Sequence, residues 1–113
     1  MSKPIRLAFT MGDPAGIGPE ITAKATRLMA AQVASGQLEF IVMGSAAAIA
    51  AAEAQMGLPA LNEQGQPFYR MVDVGPVDAP VVTGQISAVG GEWAYRAVAK
   101  AAEWVLAGEA DAI

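Results

Sequence analysis

The chain has 113 residues, a formal charge of −4, 54% apolar residues, no cysteine and no histidine. Disulfides, thiolate or imidazole metal ligation and histidine acid–base chemistry within the chain are therefore excluded. The length suits one domain with a packed core, and the absence of a basic run argues against a nucleic-acid partner. Much of the apolar fraction is alanine, so the core is expected from closely approaching elements rather than from bulky side chains.

Ile5, Leu7 and Phe9 alternate in a short run ending at Thr10, the pattern of a strand. Residues Met11 to Gly18 form a Gly/Pro-rich loop. A helix follows, with Gly18 near its N-cap and Pro19 at its first helical position, where a missing N–H costs nothing. Glu20 suits the dipole there and is spaced to pair with Lys24. Ile21, Ala25, Leu28 and Met29 are expected to supply the apolar face, and Ser35-Gly36 the stop.

Glu39 to Met43 reads as a strand covered on both faces, and Gly44-Ser45 turns into an alanine-rich helix ending near Gly57. The run Phe40 to Ala52 is broken by this turn and is too short to span a membrane. With no signal-peptide pattern at the N-terminus, a soluble cytoplasmic protein without membrane contact is expected. Leu61 to Pro67 is polar loop, and Phe68 to Val74 a third strand broken by Gly75-Pro76. Val77 to Gln85 is extended or irregular, because Pro80 cannot donate to a ladder.

Ser87 opens a last helix running to about Leu106. Glu92, Arg96, Lys100 and Glu103 form its polar stripe. Trp93, Ala97, Ala101 and Trp104 take one apolar face and Ala94, Val98 and Val105 another, predicting a helix packed on more than one side. Asp111-Ala112-Ile113 reads as the opening of a further strand. The alternation of strands and helices predicts a three-layer αβα architecture with a mostly parallel sheet.

The chemistry-bearing stretch is Thr10 to Glu20, at the carboxyl end of the first strand, where open α/β sheets place ligands. Its glycines let a backbone approach a ligand, and the helix behind offers unpaired N–H groups. It lacks the G-x-G-x-x-G fingerprint, since Ile21 stands at the third glycine position. It also lacks the P-loop, since Ile17 stands where the second glycine would be. The candidate ligand-contacting residues are Gly12, Asp13, Pro14, Ala15, Gly16, Ile17 and Gly18. A plain structural turn remains the competing reading.

The string Gly12-Asp13-Pro14-Ala15-Gly16-Ile17-Gly18-Pro19-Glu20 resembles the N-terminal motif of the 4-hydroxythreonine-4-phosphate dehydrogenase family. It is also similar to the glycine loop of the isocitrate and isopropylmalate dehydrogenases, whose fold that family shares. Pro80-Val81, Gly84 to Ala88 and the closing Ala110 to Ile113 extend the likeness along the chain. Gly90 and Val89 depart from it, standing where family members commonly carry Asn and Glu.

The resemblance implies that residues 1–113 are the N-terminal part of the first α/β domain of a larger two-domain dehydrogenase. It implies oxidation, with decarboxylation, of 4-hydroxythreonine-4-phosphate or a related phosphorylated hydroxy acid in pyridoxal phosphate biosynthesis. NAD or NADP would be the oxidant, with the Gly12 to Gly18 loop near it. A divalent metal such as Zn or Mg is implied too, its ligands outside this chain, and a homodimer in the full-length form. No catalytic residue can be mapped, and the chain alone is expected to be inactive.

Other assignments stay open. Relatives acting on a sugar-acid phosphate or a dihydrodiol compete for the substrate. A non-catalytic truncated fragment or structural module would keep the fold alone, and an unrelated phosphate-binding α/β protein would be favoured by Rossmann strand order. Asp13 either contacts the cofactor or orients a neighbour, or bonds its own backbone in a turn ahead of Pro14. Glu20 reads as a dipole partner, and Asp73 and Asp78 as ordinary loop carboxylates. Arg96 and Lys100 read as an ion-paired face, Ser87 as a cap, and Trp93 and Trp104 as packing.

Overall fold

Strand β1 (Ile5–Thr10) pairs in parallel with β2 (Leu38–Gly44), Ile5 opposite Leu38 and Thr10 opposite Met43. β2 pairs in parallel with β3 (Arg70–Asp73). The computed structural model describes residues 3–76 and 81–113 of the chain. On the far edge of β1, Leu7 forms a parallel bridge with Ala112, and the Ala8 N–H donates to the Ala112 carbonyl at 2.8 Å. The expected closing strand is thus present as its opening bridge. Chain order across the sheet therefore reverses at β1.

Period-two alternation distributes the β2 side chains. Ile41 and Met43 enter one core with Ala8, Val74, Ala97, Ala101 and Ala110. Val42 enters the other with Met11, Ala23 and Ile49. Helix α4 (Ala88–Leu106) covers the first face, with Ala97 and Ala101 both at 0% exposure and Trp93 and Trp104 flanking them. Helices α1 (Gly18–Leu28) and α3 (Ala46–Met56) cover the second. This is the three-layer αβα arrangement, with small residues where helix meets sheet. Each large β2 side chain contributes roughly 1.5–3 kcal/mol by burial.

Several expectations need correcting. The first helix buries Pro19, Thr22, Ala23 and Thr26, whereas Ile21 and Leu28 are 48% and 83% exposed. The threonines can be inside because each hydroxyl bonds back to its own helix, Thr22 Oγ1 to the Gly18 carbonyl at 2.7 Å and Thr26 Oγ1 to the Ala23 carbonyl at 2.9 Å. With its polar group satisfied, a threonine presents a methyl, and the choice of face passes to size rather than hydrophobicity.

That helix also breaks at Met29, so a short α2 (Ala30–Ala34) follows as a separate piece; the N-cap of α1 is Ile17 rather than Gly18, which makes Pro19 its second residue rather than its first. Glu20 and Lys24 form no ion pair among the described residues. β3 begins at Arg70, not Phe68, because Phe68 turns inward beneath the Arg27 guanidinium, 4.4 Å from its ring centroid. α4 packs on one side among the described residues, since Tyr95, Val98 and Leu106 are exposed. Its polar stripe pairs as expected, Arg96 with Glu92 at 2.9 Å and Lys100 with Glu103 at 3.2 Å. The reading of Val77 to Pro80 falls outside the described residues, as does Asp78. No described helix is long and apolar enough to cross a membrane.

Candidate functional site

The loop after β1 emerges at the sheet's carboxyl end, beside the point where chain order reverses. Open α/β sheets bind ligands in the crevice at that point. Met11 anchors the loop: it is buried, its N–H donates to the Met43 carbonyl at 3.0 Å, and its side chain lies on Gly44. Gly12 then takes φ +79, a left-handed conformation that a side chain resists. At Gly18 a Cβ would run into the Met11 carbonyl, so this glycine is required by close approach.

Asp13 makes a tight turn. Its Oδ1 accepts from the Ala15 N–H at 2.8 Å, and its carbonyl accepts from the Gly16 N–H at 3.0 Å. That is the Asx-type bonding expected of a turn residue ahead of Pro14. The carboxylate also rests against Gly90 in the first turn of α4, where a Cβ would overlap it. A second link joins the two motif loops, because the Gly84 N–H donates to the Ala15 carbonyl at 2.8 Å.

The neighbouring strand ends are also tied by side chains. Ser45 caps α3 by accepting from the Ala48 N–H at 3.1 Å. Asp73, read from sequence as an ordinary loop carboxylate, is instead a cap. Its Oδ2 accepts from the Ala46 N–H at 2.9 Å and its Oδ1 from the Gly75 N–H at 2.7 Å. Ser87 caps α4 as expected, accepting from the Gly90 N–H at 3.0 Å. These caps meet much of the donor demand of α3 and α4. The α1 start has no such side chain, and the N–H groups of Ile17, Gly18 and Glu20 have no hydrogen-bond partner among the described residues.

Between the starts of α1 and α3 lies a cleft of 390 Å³, within the size range of small-molecule sites. Pro14, Gly16 and Glu20 form one wall, the alanines of α3 the other, and Thr83 and Trp93 close it. Of the seven residues singled out in sequence, Pro14 and Gly16 line this cleft. Gly12, Asp13, Ala15, Ile17 and Gly18 do not; they build the loop behind it or its exposed rim. The residues missed were Ala47, Ala48, Ala51 and Gln55 of α3 with Thr83 and Trp93. An alanine-rich helix directly after a glycine-serine turn was the available signal, since small side chains leave room in front of a helix.

A smooth apolar wall, polar groups at the rim and no lysine or arginine in the lining suit the sugar and base of a nucleotide more than its phosphates. Donors for a phosphate are the backbone N–H groups at the α1 start. No group of three His, Cys, Asp or Glu side chains comes together among the described residues, so these residues do not fit a divalent metal.

No family model matches the chain. It is similar to a 4-hydroxythreonine-4-phosphate dehydrogenase from Burkholderia vietnamiensis, 34% identical over 109 residues, covering 96% of this chain and 32% of the relative. A D-threonate 4-phosphate dehydrogenase from Bordetella bronchiseptica is 36% identical over 107 residues, covering 84% of this chain and 29% of the relative. The crystal structure of a 4-hydroxythreonine-4-phosphate dehydrogenase from Burkholderia phymatum superposes with a TM-score of 0.75 at 26% identity, covering 97% of this chain and 35% of that one. The chain thus spans about one third of the length of the relatives it matches.

The observed order, β3-β2-β1 and then the segment 111–113, is also how a Rossmann half begins. Strand order therefore does not separate the two families, whereas the superposition covers almost the whole chain. By sequence and by fold, this chain is a relative of the 4-hydroxythreonine-4-phosphate dehydrogenases, matching about one third of such a protein.

Proposed function

We propose that the chain is the N-terminal part of the first domain of an NAD- or NADP-dependent dehydrogenase of phosphorylated hydroxy acids, and that it supplies part of the nucleotide site. The observation that carries this reading is the glycine loop at the sheet's reversal point, with unpartnered N–H groups at the α1 start beside a 390 Å³ cleft. In it, the start of α1 offers donors to a phosphate oxygen, Glu20 a carboxylate to a ribose hydroxyl, and the α3 alanines a flat wall to a base. When bound, the nicotinamide would accept hydride from the substrate alcohol.

The substrate classes favoured are 4-hydroxythreonine-4-phosphate and D-threonate 4-phosphate, after the names of the relatives. The resemblance also implies a divalent metal, decarboxylation and a homodimer. The described residues offer no ligand set for the metal, and no step is assigned to it here. A non-catalytic module of the same fold is the second reading.

Trp93 lines the cleft and provides the test. In a Trp104→Phe background, NAD should quench Trp93 fluorescence saturably. An unchanged signal, with no binding by calorimetry, would rule out a nucleotide site here. Nicotinamide reduction with either phosphorylated acid, by this chain or by a longer form, then separates an enzyme from a module.

A further inference from the structure

Asp13 and Gly90 lie 77 residues apart in the sequence and meet at the site. All three heavy atoms at the Asp13 carboxyl end fill the space that a Cβ on Gly90 would occupy. The same carboxylate is held at Oδ1 by the Ala15 N–H, and the next carbonyl along the loop, that of Ala15, is held by the Gly84 N–H. Asp13 is therefore fixed from its own turn and from the start of α4 together. Neighbouring Gly91 has nothing within 4 Å of the equivalent position, so the close fit belongs to Gly90 alone.

We propose that Asp13 and Gly90 are a positioning pair, in which the carboxylate seated on the bare face of Gly90 sets the spacing between the glycine loop and α4 and so aims the Ile17 and Gly18 N–H groups. On this assignment Asp13 does not touch the ligand. The absence of a side chain at residue 90 is the receptor for its carboxylate, and a larger residue there must displace that carboxylate and its bond to the Ala15 N–H. The consequence for ligand binding rests on the nucleotide reading above; the pairing itself does not.

The test uses stability and amide shifts first. Alanine normally favours a helix over glycine by up to about 1 kcal/mol, so Gly90→Ala should stabilise α4 unless the site is occupied. The pair predicts the reverse: Gly90→Ala lowers Tm, while Gly91→Ala raises it or leaves it unchanged. In an Asp13→Ala background Gly90→Ala should no longer lower Tm. In the unliganded protein, Gly90→Ala and Asp13→Ala should both move the amide resonances of Ile17 and Gly18, and Gly91→Ala should not. A Gly90→Ala that stabilises, or that destabilises equally with and without Asp13, overturns the pairing. Unmoved Ile17 and Gly18 amides overturn the positioning.

NAD binding is then compared. Both variants should weaken it by about tenfold, the scale of one hydrogen bond lost to the ligand. Binding as tight as in the parent protein also overturns positioning. If the parent binds no NAD, the nucleotide reading fails, and the Tm and amide results decide the pair independently.

Discussion

The two ends of the sheet hold their charges in opposite ways. At the amino end, arginines meet carboxylates. Arg6 pairs with Asp111 at 3.1 Å and also donates to the Gly108 carbonyl. Arg27 pairs with Glu53 at 2.6 Å, donates to the Pro59 carbonyl and lies over Phe68, while the Tyr69 hydroxyl donates to Glu53 at 3.0 Å. At the carboxyl end, Asp13 and Asp73 are held by backbone N–H groups, and neither has an ion pair among the described residues. One end sets side-chain charge against side-chain charge. The other carries the surface pair Glu92–Arg96, but it holds Asp13 and Asp73 from the main chain and leaves donors at the α1 start without a partner among the described residues. The end proposed to hold the nucleotide is the one whose charges shape loops.

The largest expected effect is at the amino end. The Arg27 and Glu53 side chains are only 12% and 16% exposed. Arg27→Ala strands a carboxylate and removes the cover from Phe68, and should destabilise by about 3 kcal/mol in urea unfolding. Glu53→Leu combined with Arg27→Met should cost much less, because no unpaired charge remains. Equal losses would mean that packing, not charge, dominates this end.

Next in size is a pH effect. Burial first, and the Glu53 hydrogen bond second, push the Tyr69 hydroxyl up from 10.0 to about 12. The folded value lies above the unfolded one, so the contribution of neutral Tyr69 is whole below about pH 10. It is lost as pH rises through about 12. Unfolding curves over that window should show the decline, and Tyr69→Phe should flatten it.

At the carboxyl end, Asp73→Ala frees the Ala46 and Gly75 N–H groups and should cost about 1–2 kcal/mol in the same assay. No loss would mean that the caps are redundant and the contrast between the ends is weaker than drawn. The smallest effect belongs to Asp111→Asn. Arg6 holds the Asp111 carboxyl below its usual range, but both groups are at the surface. Stability should hardly change, and faster exchange of the Ala8 amide, which donates to Ala112, is the finer readout.

The sequence showed the strands and caps where one residue type carries the physics. Ser87 before a helical stripe, Gly57 after one, and the apolar run of β2 are local signals, and each element appears where it was placed. The wrong face of α1 followed from ranking Ile21 and Leu28 above Thr22 and Thr26 by hydrophobicity. No single-sequence pattern tells that a threonine will satisfy its hydroxyl on its own helix and go inside. The glycine loop was legible as a loop at a strand's carboxyl end, and Asp13 as a turn residue. Its partner Gly90 was not, because the contact joins residues far apart in the chain. Asp73 was missed as a cap for the same reason: it serves Ala46, on a helix that precedes it. The cleft wall was written in alanines, which read equally well as ordinary helix.

The most direct test is an amide-resolved titration of the chain with NAD. The account predicts saturable shifts at Gly16, Ile17 and Gly18 and along the Ala47 to Ala51 face of α3, with the Arg27 and Asp111 regions unmoved. Shifts gathered at the amino end, or no shifts at all, would contradict it.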